Sequence, residues 1–175
     1  LYALQDYIGE DKVNLAMKGF LEEYRYKEPP YPTSYDFLRY LEPQVPDSLN
    51  YLITDWFKEI TLYDNRLKEA NYKKLDNGKY EVTFEIESSK IKADSLGNET
   101  KTVINDWIDV GAFADYDEEN LIFQKRVKVN KPKMTFVFEI DSLPSKLAID
   151  PRHLLIDRVY DDNIKLVVET MPNKK

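Results

Sequence analysis

Hydrophobic residues recur every three to four positions in the first third of the chain and every second position beyond it. That change of period predicts two kinds of structure in sequence. From Asp11, the apolar positions Val13, Ala16, Met17, Phe20, Leu21 and Tyr24 follow helical spacing, so this stretch is an amphipathic helix with one face for a core. Leu1, Leu4 and Ile8 predict a helix before it, ended by Gly9, a residue that accepts the left-handed backbone just past a helix C-terminus. Pro29, Pro30 and Pro32 then forbid helix, and Thr33 with Asp36 three residues on predicts the N-cap of a short helix through Leu41. After Pro43 and Pro46, Asp47 or Ser48 caps a longer helix whose face is Leu49, Leu52, Ile53, Trp56, Phe57 and Ile60.

Beyond about Leu62 the alternation is that of strands with one buried face. Tyr80, Val82, Phe84 and Ile86 alternate with Glu81, Thr83, Glu85 and Glu87, and Met134, Phe136, Phe138 and Ile140 alternate with Thr135, Val137 and Glu139. Asn77-Gly78 predicts a hairpin, because both residues tolerate positive φ. Further strands are expected at 66–74, 101–110, 120–129, 146–149 and 164–169, with turns at Gly97-Asn98, from Asp115 to Glu119 and from Asn130 to Pro132. Short strands at this spacing with no helix between them predict an antiparallel sandwich of immunoglobulin type. The expected fold class is therefore α+β, with a small helical subdomain at 1–62 and a β-sandwich at 63–175. No repeat, low-complexity tract or flexible linker separates the two parts, so the helices are expected to pack directly on the sheet.

Composition narrows the function classes. The chain has 175 residues, 42% hydrophobic and 33% charged, the balance of a folded domain. Its net charge is −7, from 25 Lys plus Arg and 32 Asp plus Glu, and the charges are interspersed. Without a basic stripe, no nucleic-acid partner is expected. No apolar run approaches the roughly 18 residues of a membrane helix, so this sequence is not expected to insert into a bilayer. There is no Cys and a single histidine, His153, which rules out thiolate metal sites and any zinc site needing two histidines of this chain. The sequence opens on an apolar periodic stretch with neither Met nor a signal segment, and the expectation is a piece of something longer.

Four groups of residues invite a chemical reading. His153 lies in Asp150-Pro-Arg-His-Leu-Leu-Ile-Asp-Arg158, with Asp150, Asp157, Asp161 and Asp162 near enough in sequence to orient a ring or share a ligand. An exposed or turn-stabilising histidine is the preferred reading. Asp115-Tyr-Asp-Glu-Glu-Asn120 is rich in oxygen ligands but lacks the turn Gly and distal Glu of a calcium loop, and reads as a hairpin tip. Asp157, Asp161 and Asp162 read as turn residues in preference to a glycosidase acid pair. Tyr24, Tyr26, Tyr31, Tyr35 and Tyr40 crowd the helical part, and are expected to fill the joint between helices and sheet. No nucleophile elbow or phosphate loop occurs, and no residue is assigned a catalytic, cofactor or metal role.

The order of several motifs carries a resemblance. Leu1-Tyr-Ala-Leu-Gln-Asp-Tyr-Ile-Gly-Glu-Asp-Lys-Val13, then Met17-Lys-Gly-Phe-Leu-Glu-Glu-Tyr24, then Pro32-Thr-Ser-Tyr-Asp-Phe-Leu38 resembles the helices that follow the active site in aminopeptidase N-type zinc metallopeptidases. The remainder, with Tyr51-Leu-Ile-Thr-Asp-Trp-Phe57, Ile60-Thr-Leu-Tyr-Asp-Asn65, Asn105-Asp-Trp-Ile-Asp109 and Ile149-Asp-Pro-Arg-His-Leu-Leu-Ile-Asp-Arg158, is similar to the C-terminal end of a bacterial branch fused behind a membrane region. The resemblance implies a parent enzyme that trims peptides with a zinc held by His-Glu-x-x-His and a later Glu. No His-Glu-x-x-His occurs here, so the resemblance implies a non-catalytic portion that buttresses the active-site cleft, with the rest of the peptidase as its partner and zinc in the parent. Two alternatives stand beside it. One is an independent sandwich that binds peptide or carbohydrate on its tyrosines, and the other is a family member that lost its zinc and serves as scaffold.

Overall fold

The computed structural model describes residues 1–170, and the chain divides into two compact units, Leu1–Ile60 and a second that begins at Thr61. The first is helical. Helices α1 (Tyr2–Ile8) and α2 (Glu10–Tyr24) are separated by Gly9 alone, at φ 96° and ψ 146°. This is not the left-handed helical conformation expected of a C-cap. It is an extended, positive-φ conformation open essentially to glycine alone, and it turns the chain within one residue. Helix α3 (Ser34–Leu41) opens on the predicted capping box, where the Asp36 carboxylate accepts the Thr33 N–H at 2.8 Å and the Thr33 hydroxyl at 3.0 Å.

Periodicity decides what these helices bury. Leu4, Ile8, Val13, Ala16, Leu38, Leu41, Val45, Leu52 and Ile53 form one core, and Trp56 meets Tyr7 edge-on at 5.2 Å. Each fully buried Leu contributes about 1.5–3 kcal/mol. Gly19 is needed where α2 meets α3, since a Cβ there would stand 2.8 Å from Cδ1 of Tyr40. The longer helix expected after Pro46 is instead three short pieces: a 3-10 turn at Asp47–Leu49, one α turn, α4 (Tyr51–Ile53), and a π-helical turn at Thr54–Lys58. No side chain caps its start. The wide turn closes with the Glu59 N–H on the Thr54 carbonyl at 2.9 Å, and Ile60 already belongs to the first strand.

The second unit is a β-sandwich of nine strands among the described residues: β1 (Ile60–Lys74), β2 (Tyr80–Ala93), β3 (Glu99–Thr102), β4 (Asp106–Phe113), β5 (Leu121–Val129), β6 (Lys133–Ile140), β7 (Lys146–Ile149), β8 (Ile164–Leu166) and β9 (Val168–Glu169). One sheet has the order β3-β2-β1-β9, with β6 also on β2, and the other has the order β5-β4-β7-β8. Strand β2 thus takes β1 on one edge and β6 on the other, and β4 takes β5 and β7. These are the Greek-key pairings of an immunoglobulin-like sandwich. The fold class is α+β. One pairing is parallel, β1 with β9, where an all-antiparallel sandwich was expected.

Strict alternation along β2 places Val82, Phe84, Ile86, Ser88 and Lys90 inside, so the last two core positions are polar. Lys90 ends on Asp106 of the opposite sheet at 3.0 Å, a buried ion pair that spans the sandwich. The strand expected at 101–110 is broken at Val103 to Asn105 because the chain changes sheet there. β3 pairs with β2, whereas β4 pairs with β5 and β7. The Asn77-Gly78 hairpin forms, but only Gly78 takes positive φ, at 85°. The Leu75 N–H reaches the Lys79 carbonyl at 2.8 Å and the Gly78 N–H reaches the Leu75 carbonyl at 3.0 Å, the longer glycine-bulge loop instead of the two-residue turn. The Asp94 to Asn98 turn repeats that pattern, with Gly97 at φ 85°.

Candidate functional site

The turn after β7 gathers most of the residues singled out in the sequence. Asp150 and His153 both hold positive φ, at 50° and 52°. The buried Asp150 carboxylate accepts the N–H groups of Leu154 and Leu155, each at 2.9 Å, and this strained turn is thereby fastened from within. Burial raises the Asp150 pKa, and the two N–H donors act against it. His153 is exposed and stacks on Tyr160 with ring centroids 4.4 Å apart. The Tyr160 hydroxyl donates to the Leu155 carbonyl at 3.0 Å, which locks the same turn from the other side.

Asp157 serves the fold in a similar way. It is buried and accepts the N–H of Asn65 at 2.8 Å and of Val159 at 3.0 Å, joining β1 to the segment before β8. Asp162 has its pKa raised by burial, opposed by Arg66. A recess of about 130 Å³ lies between His153, Tyr160, Asp161, Asn163 and Glu118, but Glu118 is held by Lys146 at 2.6 Å. The described residues contain no group of three or more His, Asp or Glu side chains placed to hold a metal ion. In the Asp115 to Asn120 loop, the Asp115 carboxylate accepts the N–H of Glu119 at 3.1 Å and of Asn120 at 2.9 Å, closing the β4–β5 hairpin.

Asp109 is a node the sequence did not flag as chemical. Its buried carboxylate accepts Arg126 Nε at 2.9 Å, Arg126 Nη2 at 3.0 Å, Gln124 Nε2 at 2.8 Å and Arg152 Nη2 at 3.2 Å. Beside it, Gly111 leaves room for Pro151, where a Cβ would come within 2.8 Å of its ring. The arrangement ties β4, β5 and the His153 turn together.

Tyr26, Tyr31 and Tyr35 are 97%, 71% and 70% exposed. Tyr24 accepts Arg39 Nη2 at 2.6 Å, and Tyr40 donates to Glu23, which pushes the Tyr40 pKa up to about 12 and lowers that of Glu23. Both fasten α2 to α3.

A feature missed in the sequence is a cavity of about 710 Å³ in the sandwich, beside the stretch of β2 between its pairing with β6 and its pairing with β3. Arg66, Lys101, Ser88, Ser89, Thr102 and Asn130 line it together with the acids Asp64 and Glu87. Ser88-Ser89 was the available signal, since a serine pair interrupts β2 where alternation calls for an apolar residue. No aromatic side chain lines this cavity.

No protein-family model matches the chain, and no curated protein matches it. Among solved structures, Legionella pneumophila aminopeptidase A, determined in complex with aspartic acid, is similar at a TM-score of 0.43 and 17% identity over 90% of this chain. The chain spans 16% of that chain's length. No helix among the described residues is long and apolar enough to cross a membrane.

Proposed function

We propose that this chain is a non-catalytic C-terminal part of a zinc-dependent aminopeptidase, in which the helical unit braces the active-site cleft and the sandwich follows it. The observation that supports this reading is the coincidence of motif order with element order. The segments that resemble the metallopeptidase helices form α1, a one-residue break at Gly9, α2, and an α3 opened by the Thr33–Asp36 capping box. The strand segments follow as a sandwich. In this proposal zinc, peptide substrate and any membrane anchor belong to the bacterial parent, and no residue of this chain touches the reacting atoms.

The test compares the 175-residue chain with the complete coding sequence that contains it. The longer protein is expected to hold one zinc and release product from an aminoacyl anilide, and the 175-residue chain to do neither. Metal analysis and a chromogenic assay give the answer. Stoichiometric zinc or turnover in the shorter chain overturns the reading, and so does a longer protein with no peptidase activity.

A further inference from the structure

Five strands stand at the ends of the two sheets among the described residues, and four of them are protected against pairing with another chain. β3 has four residues, β8 three and β9 two, too short to offer a ladder. β5 is longer, but Lys125, Arg126 and Lys128 put like charges on it with no acid among its residues, so a second β5 is repelled. β6 has neither protection. It pairs with β2 alone, over eight residues rich in β-branched and aromatic side chains, without Pro or Gly, and its one cation and one anion cancel.

Hydrogen-bond parity shows what that edge presents. The Ser88 N–H reaches the Pro132 carbonyl at 2.8 Å, and antiparallel bonds recur at every second pair, so Met134, Phe136, Phe138 and Ile140 turn their backbone groups toward β2. Lys133, Thr135, Val137 and Glu139 therefore point their N–H and C=O groups away from it, with no strand among the described residues to receive them. Their side chains are exposed, Val137 at 53%. Charge is uneven along this row. At one end Glu139 lies opposite Glu81, a like-charge pair, and its cation Lys79 at 3.3 Å also serves Asp141 at 3.1 Å. At the other end Lys133 is 78% exposed and shares Glu87 with Lys68, each at 3.9 Å.

We propose that this edge pairs with the same edge of a second copy of the chain, antiparallel about a two-fold axis at Phe136. The strand is self-complementary in that register. Lys133 falls opposite Glu139 of the second copy and Thr135 opposite Val137 of the second copy, each pairing occurring twice by symmetry, so every outward-facing position exchanges hydrogen bonds. The second copy's ammonium approaches Glu139 from the side away from Glu81 and relieves that like-charge pair. On the other face of β6, Phe136 meets Phe136 of the second copy at a closely spaced, non-hydrogen-bonded pair, and Met134 meets Phe138 of the second copy. These three side chains are only half-buried in the single chain. The two copies thereby join their β2–β6 sheets edge to edge. The proposal rests on no part of the peptidase reading.

A single strand edge is a small interface, so weak association is expected, with half of the 175-residue chain dimeric somewhere between about 10 µM and 1 mM in sedimentation equilibrium. Over the same range, hydrogen exchange of the Thr135 and Val137 amides is expected to slow while the amides of β5 stay unchanged. Lys133→Glu and Glu139→Lys each set like charges opposite one another twice, and each is expected to weaken the dimer about tenfold. Mixing the two variants restores both attractive pairs, and heterodimers are expected at the affinity of the unsubstituted chain. Val137→Pro removes an outward N–H that β2 does not use, and is expected to abolish association while the circular dichroism stays that of the folded chain. A chain still monomeric at about 1 mM overturns the proposal. So do slowed amides in β5 or the helices instead of β6, a mixture that associates no better than either variant alone, or an unchanged dimer in Val137→Pro.

Discussion

In the helical unit two side-chain bonds between α2 and α3, Tyr40 on Glu23 and Arg39 on Tyr24, lie at the surface above an apolar core, as does the Thr33–Asp36 cap of α3. In the sandwich the corresponding fastenings are inside. Lys90 and Asp106 are 8% and 3% exposed, Asp109 holds two arginines, and Asp157 takes the Asn65 N–H from β1. The difference follows from geometry. Helices satisfy their own backbone and need only a greasy stripe to pack, whereas a sheet that slips by one residue turns its whole apolar face outward. Buried charges whose partners stand at fixed positions on other strands would lose them in such a slip, and on that hypothesis the Lys90–Asp106 pair helps to hold the register.

That contrast can be broken or sharpened by mutation. The largest effect is expected from Asp106→Ala, which removes the carboxylate that the buried Lys90 ammonium ends on and should lower stability by about 3–5 kcal/mol in urea unfolding. Replacing both partners, Lys90→Met with Asp106→Leu, should restore most of it. If the double variant stays as unstable as the single one, the ion pair contributes stability directly and the register argument fails. Next comes Leu41→Ala, which empties part of the helical core and should cost about 2–5 kcal/mol. Hydrogen exchange is expected to show faster amides in α1 to α3 with the strands unchanged; equal acceleration in the strands would merge the two regions into one cooperative unit. The smallest effect concerns Asp36, whose pKa is lowered by the Thr33 N–H and then the Thr33 hydroxyl. A lowered carboxylate contributes stability that is present above its unfolded pKa and lost as pH falls through the folded value. The difference in thermal midpoint between the parent chain and Asp36→Asn should therefore be seen at neutral pH and shrink in acid, and a gap that persists below the carboxylate range would remove the capping explanation.

Much of this was legible in the amino acids because it was local. The Thr33-x-x-Asp36 cap and the alternation of β2 each report on neighbours within a few residues, as does the stripe of α2 at Val13 and Ala16, although Met17 and Leu21 of the expected face are exposed. What escaped was decided at a distance. Nothing near Val103 announces that the chain changes sheets there, and the periodic face from Leu49 to Ile60 reads as a continuous helix although a π turn and then a strand consume its end. An aromatic body suits a core while a hydroxyl suits water, and Tyr26, Tyr31 and Tyr35 are exposed. The cavity was hidden for a similar reason: Arg66, Ser88, Lys101 and Asn130 come from four separate segments.

The parallel pairing of β1 with β9, Asn71 opposite Val168 and Tyr72 opposite Glu169, has a bearing on biogenesis. The Asn65 N–H likewise waits for a carboxylate 92 positions further along. During ribosomal synthesis the helical unit, whose contacts are close in the chain, can fold as it emerges. The sandwich cannot close its first strand until nearly all of its own residues have been translated, which leaves that edge in need of protection for the length of the wait.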